Sequence, residues 1–225
     1  GRDEIQGGAG NDTLDGGAAH DILRGDEGHD RLSGEDGNDI LQGGTGAAGA
    51  DNDVINGWAG NDRALGGTGN DSIEGETGND TLLGEEGADQ LGGGDGADQL
   101  HGDAGDDTLI AGTGGGAPDS LSGGDGADLL RFSAGGTTNG RADGGAGADQ
   151  LEYGGLNSAA QAVSLHLDAA GDGRLLLGAA TLLHITGIER VTVDGGNAKD
   201  TLVGSAGADR LTGWSGDGST VFAGG

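Results

Sequence analysis

Cysteine is absent from this sequence, and aromatic side chains make up only 2% of its 225 residues. Without cysteine the chain has neither disulfide bonds nor thiolate metal sites. With so few aromatic residues it cannot build a large mixed hydrophobic core. No run of about 18 apolar residues occurs, so the sequence predicts no membrane span.

Basic side chains are also scarce. Lysine and arginine number 10 against 39 aspartates and glutamates, which gives a formal charge of −29. Nucleic acids and anionic membrane surfaces are bound by clusters of Lys and Arg, so this composition speaks against both as partners. A chain of such low hydrophobicity and high charge would be disordered unless something else stabilised it. The excess of carboxylates therefore predicts that the partners are cations.

Glycine is abundant, with 57 residues, against a usual share of roughly 7%. The glycines recur with a fixed period, which is clearest in residues 66–83, where GGTGNDSIE is followed by GETGNDTLL. Each nine-residue unit reads G-G-x-G-x-D-x-U-x, in which U is a large aliphatic residue. Self-similarity at a short fixed period is typical of a solenoid built by stacking.

The units divide the chain into four predicted segments. A main repeat block covers 1–131, with insertions near 47–51 and 115–117, and a degenerate repeat region covers 132–152. A β-rich interruption without the repeat covers 153–193, and we expect its strands to continue the stack. A second short repeat block covers 194–225. The chain lacks an initiator methionine and a signal peptide, and its first residues match the end of a unit, so we expect it to be part of a longer protein.

The spacing within a unit predicts a turn followed by a short strand. Glycine allows the tight turn, and the alternation of side chains along a strand sends U to one face. Two units return the chain beside itself, so each coil has about 18 residues, stacked at the roughly 4.8 Å spacing of paired strands. Ala64 interrupts the aliphatic series, and Leu65 is the candidate substitute. The residues predicted to line the interior are Leu14, Leu23, Leu32, Leu41, Ile55, Ile73, Leu82, Leu91, Leu100, Leu109, Leu121 and Leu130.

The sixth position of each unit is an aspartate, and alternate units place it on opposite edges of the roll. Stacked carboxylates about 5 Å apart repel one another unless a cation lies between them. Carboxylate and carbonyl oxygens favour Ca²⁺, whereas Mg²⁺ requires a tighter octahedron and keeps its waters. About a dozen gaps would hold about a dozen Ca²⁺ ions, which nearly cancels the negative charge. The predicted ligands on one edge are Asp3, Asp21, Asp39, Asp62, Asp80, Asp98 and Asp119; those on the other are Asp12, Asp30, Asp53, Asp71, Asp89, Asp107 and Asp128; Asp149, Asp200 and Asp209 belong to the later units.

This motif resembles that of the RTX (repeats-in-toxin) calcium-binding nonapeptide family. The resemblance covers about 130 residues continuously and some thirty more near the end. It implies an all-β fold, a right-handed, serralysin-like parallel β-roll that is stacked by calcium in its turns. It also implies a protein exported by type I secretion that folds outside the cell, where it is secreted or held at the cell surface. Three departures weaken individual sites: Ala19 and Ala111 replace glycines, and Gly218 replaces the aspartate.

No catalytic constellation stands out, since neither G-x-S-x-G nor H-E-x-x-H occurs, and we expect no enzyme activity. His20 and His29 fall on opposite edges, which argues against a zinc pair. Three roles remain open. The first is a scaffold in a surface layer, adhesin or extracellular filament, which requires self-assembly or a cell-surface partner. The second is the C-terminal secretion and folding module of a hydrolase or toxin. The third is a binding module with its own glycan or protein ligand.

Overall fold

The structure is a computed structural model that describes residues 1–45, 51–112, 117–133, 139–154, 163–167, 170–177, 180–194, 201–203, 210–212 and 220–222. Within these ranges all regular secondary structure is β-strand, as the sequence predicts. None of the described residues forms a helix that could cross a bilayer.

The strands are short, and up to Ile110 they alternate between five or six residues and three. In chain order they are β1 Glu4–Ala9, β2 Thr13–Asp15, β3 Ile22–Glu27, β4 Arg31–Ser33, β5 Ile40–Gly44, β6 Val54–Asn56, β7 Arg63–Thr68, β8 Ser72–Glu74, β9 Thr81–Glu86, β10 Gln90–Gly92, β11 Gln99–Ala104, β12 Thr108–Ile110, β13 Ser120–Gly126, β14 Leu129–Ser133, β15 Gly140–Gly147, β16 Gln150–Gly154, β17 Val163–Leu167, β18 Gly173–Leu177, β19 Ala180–Thr186, β20 Arg190–Asp194, β21 Thr201–Val203, β22 Arg210–Thr212 and β23 Thr220–Phe222.

Two sheets face each other across the interior. The first sheet has 13 strands in the order β1-β3-β5-β7-β9-β11-β13-β15-β19-β18-β17-β21-β23. The second has 10 strands in the order β2-β4-β6-β8-β10-β12-β14-β16-β20-β22. Up to β16, strands that follow one another along the chain lie in alternate sheets. In this part of the chain, strands that lie next to each other within a sheet are parallel. This is the parallel β-roll that the repeat predicts.

The interior is one aliphatic ladder for each sheet. Leu23 lies between Ile5 and Leu41 in the register of the first sheet. All twelve predicted lining residues are buried. The expectation that Leu65 replaces the missing aliphatic is wrong: Ala64 lies in the inward register beside Leu41, and Leu65 lies on the outer face beside Gln42. Side-chain alternation is fixed by the strand, so a neighbour in the sequence cannot turn inward without a slip of the register.

The turns require a left-handed backbone at their second position. Six residues that are not glycine adopt φ values between 69° and 76° there, namely Asp26, Glu35, Trp58, Glu76, Glu85 and Asp103. At the fourth position the constraint is steric as well. Gly78 has a φ of 141°, and a Cβ at this position would collide with the carbonyl oxygen of Gly60 in the preceding coil. Successive turns therefore pack backbone against backbone.

The interruption continues the stack, as expected, but with one reversed strand. β19 lies parallel to β15, β18 is antiparallel to both of its neighbours, and β17 is parallel to β21. Because β18 is antiparallel to both β17 and β19, these two strands run in the same direction. The repeat therefore resumes at β21 with the strand direction it had before the interruption. In the second sheet β20 simply follows β16.

Candidate metal centre

The sixth-position aspartates lie where the turns enter the strands. Asp3 is exposed and Asp12 is partly buried, at the beginning of the stack. The other aspartates in the described part of the array have at most 3% of their surface exposed; they are Asp21, Asp30, Asp39, Asp53, Asp62, Asp71, Asp80, Asp89, Asp98, Asp107, Asp119, Asp128 and Asp149. Asp200 and Asp209 lie outside the described residues.

One oxygen of each carboxylate links two coils. The main-chain N–H of an aspartate donates to Oδ1 of the aspartate one coil later, at 2.6–3.1 Å. On edge one, which precedes the strands of the first sheet, six such links run from Asp3 to Asp119. On edge two, which precedes the second sheet, seven run from Asp12 to Asp149. The predicted assignment of aspartates to the two edges is therefore confirmed.

The other oxygen, Oδ2, is buried and has no hydrogen-bond partner. This holds for Asp12, Asp21, Asp30, Asp39, Asp53, Asp62, Asp71, Asp80, Asp89, Asp98, Asp107, Asp128 and Asp149. A buried carboxylate oxygen without a partner is strongly unfavourable in a folded protein. Because the unpartnered Oδ2 recurs along both edges, it is a property of the repeat and not a local defect.

A glycine at the first position provides the space into which Oδ2 points. A Cβ on Gly16 would lie 3.0 Å from Asp21 Oδ2 and 3.1 Å from the carbonyl oxygen of Gly34, one coil later. On Gly57 the corresponding distances would be 2.5 Å to Asp62 Oδ2 and 3.0 Å to the carbonyl oxygen of Gly75. A carboxylate oxygen and a carbonyl oxygen from neighbouring coils thus border the same small space. Both are hard donors, which suit Ca²⁺.

Main-chain oxygens would have to complete such a site. In the part of the chain that the structure describes, no three His, Cys, Asp or Glu side chains form a group able to hold a metal ion by themselves. Calcium sites commonly combine carboxylates with backbone carbonyls in this way. The glycine-rich turns present those carbonyls, and the residues present therefore fit the ion.

The electrostatics of the ladder favour the protonated form of the aspartates. Burial, with a smaller contribution from neighbouring carboxylates, raises the pKa of Asp71, Asp98 and Asp107 from 3.8 to about 7. Burial in the same way raises the pKa of Asp62 and Asp80 to about 6. An ionised ladder is therefore unfavourable at neutral pH unless a cation compensates it.

A second ladder, which the sequence reasoning missed, lies at the fifth position. The side-chain Oδ1 of Asn61 accepts a hydrogen bond from the main-chain N–H of Asn79, one coil later, at 2.8 Å. His20 and His29 occupy the same position, and their Nδ1 atoms accept from Asn38 and Asn52. They stabilise separate edges and do not form a zinc pair. The recurrence of Asn at the fifth position is the signal that could have revealed this ladder, because Asn side chains readily form hydrogen bonds with main-chain groups in turns.

Glu189 was also missed. It precedes β20, and its Oε2 accepts a hydrogen bond from the main-chain N–H of Asp149 at 2.7 Å. Arg190 in turn donates its N–H to the carbonyl oxygen of Asp149, as the residue after each aspartate does elsewhere. Glu189 thus continues the edge-two ladder inside the interruption. The sequence signal is an acidic residue directly before the strand pattern Arg190–Asp194.

The profile of the RTX calcium-binding nonapeptide repeat matches the chain at residues 1–32, 16–47, 33–64, 45–73, 65–100, 93–116, 112–138 and 194–217. These matches cover more than half of the chain, and the chain therefore belongs to this family. Its β-roll is a structural, calcium-binding fold, and proteins with these repeats are typically secreted or extracellular. No curated protein gives a significant match.

Proposed function

We propose that the sixth-position aspartates of both edges bind Ca²⁺ through Oδ2, with first-position carbonyls of the adjacent coil as further ligands. One ion for each gap between neighbouring aspartates gives about a dozen ions, which carry about +24 against the formal charge of −29. The proposal extends to Asp200 and Asp209, whose units carry the same motif. The observation that carries it is the repeated, buried and unpartnered Oδ2.

Calcium binding of this kind is coupled to folding. The carboxylate and the carbonyl that share a gap belong to different coils, so they come together only when the coils stack. An ion that binds only the stacked form stabilises it by mass action. A chain of this family would remain unfolded where calcium is scarce and would fold after export.

The direct test is a calcium titration of the metal-free chain, followed by far-ultraviolet circular dichroism. We expect a change from coil to β-structure with Ca²⁺ and no equivalent change with Mg²⁺ at the same concentration. Equally compact β-structure in excess chelator at neutral pH would refute the proposal, because the ladder would then need no cation.

We further propose that the calcium-loaded roll is a non-enzymatic scaffold of a surface layer, adhesin or extracellular filament. The two sheets form one continuous stack from β1 to β16, and such a solenoid makes a stiff spacer. Electron microscopy and analytical ultracentrifugation with calcium would show ordered assemblies of a layer or filament, and a cell-binding assay would show adhesion. A chain that stays monomeric, but carries an attached hydrolase through type I secretion, would instead indicate the secretion and folding module.

A further inference from the structure

The turn of edge two that leads into β6 contains an additional aspartate. Its neighbours along this edge have glycine at the fourth position, as at Gly10, Gly28 and Gly69, whereas Asp51 occupies that position two residues before Asp53. The register confirms the equivalence. A Cβ on Gly69 would meet the carbonyl oxygen of Asp51, just as a Cβ on Gly28 would meet that of Gly10.

One oxygen of Asp51 replaces a main-chain acceptor. In ordinary turns the fourth-position N–H donates to a third-position carbonyl of the next coil, as from Gly10 to Glu27 at 2.7 Å. The N–H of Gly28 donates instead to Asp51 Oδ1, at 2.5 Å. The side chain of Asp51 therefore points back towards the preceding coil, which is the coil that contains Asp30.

The other oxygen of Asp51 has no such structural explanation. The residue is completely buried, and its Oδ2 has no hydrogen-bond partner. Asp30 and Asp53, which are linked by the hydrogen bond from Asp30 N–H to Asp53 Oδ1 at 2.8 Å, also have buried, unpartnered Oδ2 atoms. The two turns that border this gap thus carry three carboxylates with an uncompensated oxygen, where the turns of an ordinary gap carry two. Main-chain oxygens would still have to complete the site, because the described side chains do not form a metal-binding group by themselves.

Geometry brings the three carboxylates to the same gap. The hydrogen bond from Gly28 N–H holds the Asp51 carboxylate against the turn that contains Asp30, and Asp51 lies two residues before Asp53 in the next turn of this edge. Three buried negative charges in two neighbouring turns are unfavourable without a cation.

We propose that Asp51 is an additional calcium ligand, and that the gap between Asp30 and Asp53 is the highest-affinity site of the array and the first to fill. The inference rests on the proposed function of the ladder. The affinity of calcium sites built from oxygen ligands rises with the number of charged ligands, so a third carboxylate strengthens this site above its neighbours. A first ion held here would dock the coils on either side of the insertion and favour the filling of adjacent gaps.

Two substitutions of Asp51 distinguish a calcium ligand from a residue that only accepts the hydrogen bond of Gly28 N–H. Asp51→Asn keeps an oxygen that can accept from Gly28 N–H but removes the charge. Asp51→Gly restores the residue that the repeat has at this position elsewhere. Asp95→Asn is the matched control, since it removes one charge from an exposed residue in another turn.

The measurement is a competition titration of the 225-residue chain with a calcium chelator, which yields the dissociation constant of the first ion. We expect Asp51→Asn and Asp51→Gly to weaken it by about tenfold or more, and the control by less than about twofold. If Asp51→Asn binds the first ion as the wild type does, Asp51 is only an acceptor for Gly28 and the inference is overturned. If the wild type itself binds no calcium, the proposed function fails instead.

A second measurement locates the ion. Crystals of the calcium-loaded chain equilibrated with one equivalent of Tb³⁺ should show the main anomalous peak between the turns of Asp30 and Asp53, because the trivalent ion replaces calcium first where the carboxylates are most numerous. In Asp51→Asn crystals the peak should spread over several gaps. A wild-type peak spread equally along both edges would contradict a preferred first site.

Discussion

Replacing Asp71 by asparagine should have opposite effects with and without calcium. Asp71 is 3% exposed, its Oδ1 accepts from Asp53 N–H at 2.8 Å, and its own N–H donates to Asp89 Oδ1 at 2.7 Å. Asparagine keeps both links and the side-chain volume. It removes only the negative charge and Oδ2, which in our proposal faces the cations in two gaps.

The structure sets the size of the effect without calcium. Burial, and to a smaller extent the charges of Asp89, Asp53 and Asp51, raise the pKa of Asp71 from 3.8 to about 7. At about 1.4 kcal/mol for each pH unit, this corresponds to about 4 kcal/mol against the ionised carboxylate in the folded chain. Asparagine removes this cost of burying an ionised carboxylate, so in chelator the variant should be more stable than the wild type by up to about 4 kcal/mol.

With calcium the sign reverses, because the same substitution removes a charged ligand from two sites. Far-ultraviolet circular dichroism would follow a calcium titration at pH 7 and a pH titration in chelator. We expect the calcium midpoint of Asp71→Asn to rise, and its β-structure in chelator to persist to higher pH. Asp95→Asn controls for net charge, and Asp3→Asn, at the exposed end of the stack, should change the calcium midpoint less. If Asp71→Asn stabilised the roll in both titrations or destabilised it in both, or if Asp71→Asn and Asp3→Asn had equal calcium midpoints, the reasoning would be refuted.

Three further predictions concern the glycines, the core and pH. Gly57→Ala places a methyl group against a carboxylate oxygen and should destabilise the calcium-loaded roll by about 2 kcal/mol in thermal melting, whereas Gly154→Ala, which meets nothing within 4 Å in the described part, should be close to neutral. Ala64→Leu should increase the free energy of unfolding by about 1 kcal/mol and so raise the melting temperature, since the same inward position holds leucine one coil before and one coil after. In chelator the chain should gain β-structure on acidification. The raised pKa of Asp71 and its neighbours means that the folded state binds protons more tightly; this stabilisation is complete below about pH 4 and is lost as the pH rises through about 6 to 7. Loss of β-structure on acidification in chelator would contradict the sign.

The sequence predicted the repeating part of the structure well, because one period determines both the register and the chemistry. With two units to a coil, the residue 18 positions away must be the neighbour in the sheet, so Leu23 had to meet Leu41 and Asp21 had to meet Asp39. The same periodicity predicted which edge each aspartate occupies.

Features that break the period could not be predicted in the same way. The sequence shows an insertion near Asp51, but only the structure shows that Asp51 itself takes the place of a glycine and that its Oδ1 accepts a hydrogen bond from Gly28 N–H. In the interruption, the direction of β18 depends on pairing between segments that share no repeat. Glu189 was overlooked because its turn is shorter than that of the repeat, which shifts the acidic residue out of the expected register.

The repeat units and the unit that begins at Phe132 are stabilised in different ways. The difference lies at the first position of the unit. In the cation-binding units the first position is glycine except in the unit of Asp119, where it is Ala111, because a larger side chain there would occupy the space next to Oδ2. Where that position carries Phe132, the corresponding sixth position is Gly140, since Arg141 N–H donates to the carbonyl oxygen of Asp119 in the register of the ladder.

Phe132 instead stacks on Tyr153, with ring centroids 6.4 Å apart, and both side chains are buried. In this unit Phe132 stands where other units have the first-position glycine, and Gly140 stands where they have the sixth-position aspartate. An apolar side chain buried in the space next to the turn stabilises the coil without any ion, at about 25 cal/mol for each Å² removed from water. On edge one, calcium dependence should therefore fall at this coil, because the coil cannot hold both the aromatic ring and an ion in the same space, whereas edge two keeps its acidic residues Asp149 and Glu189.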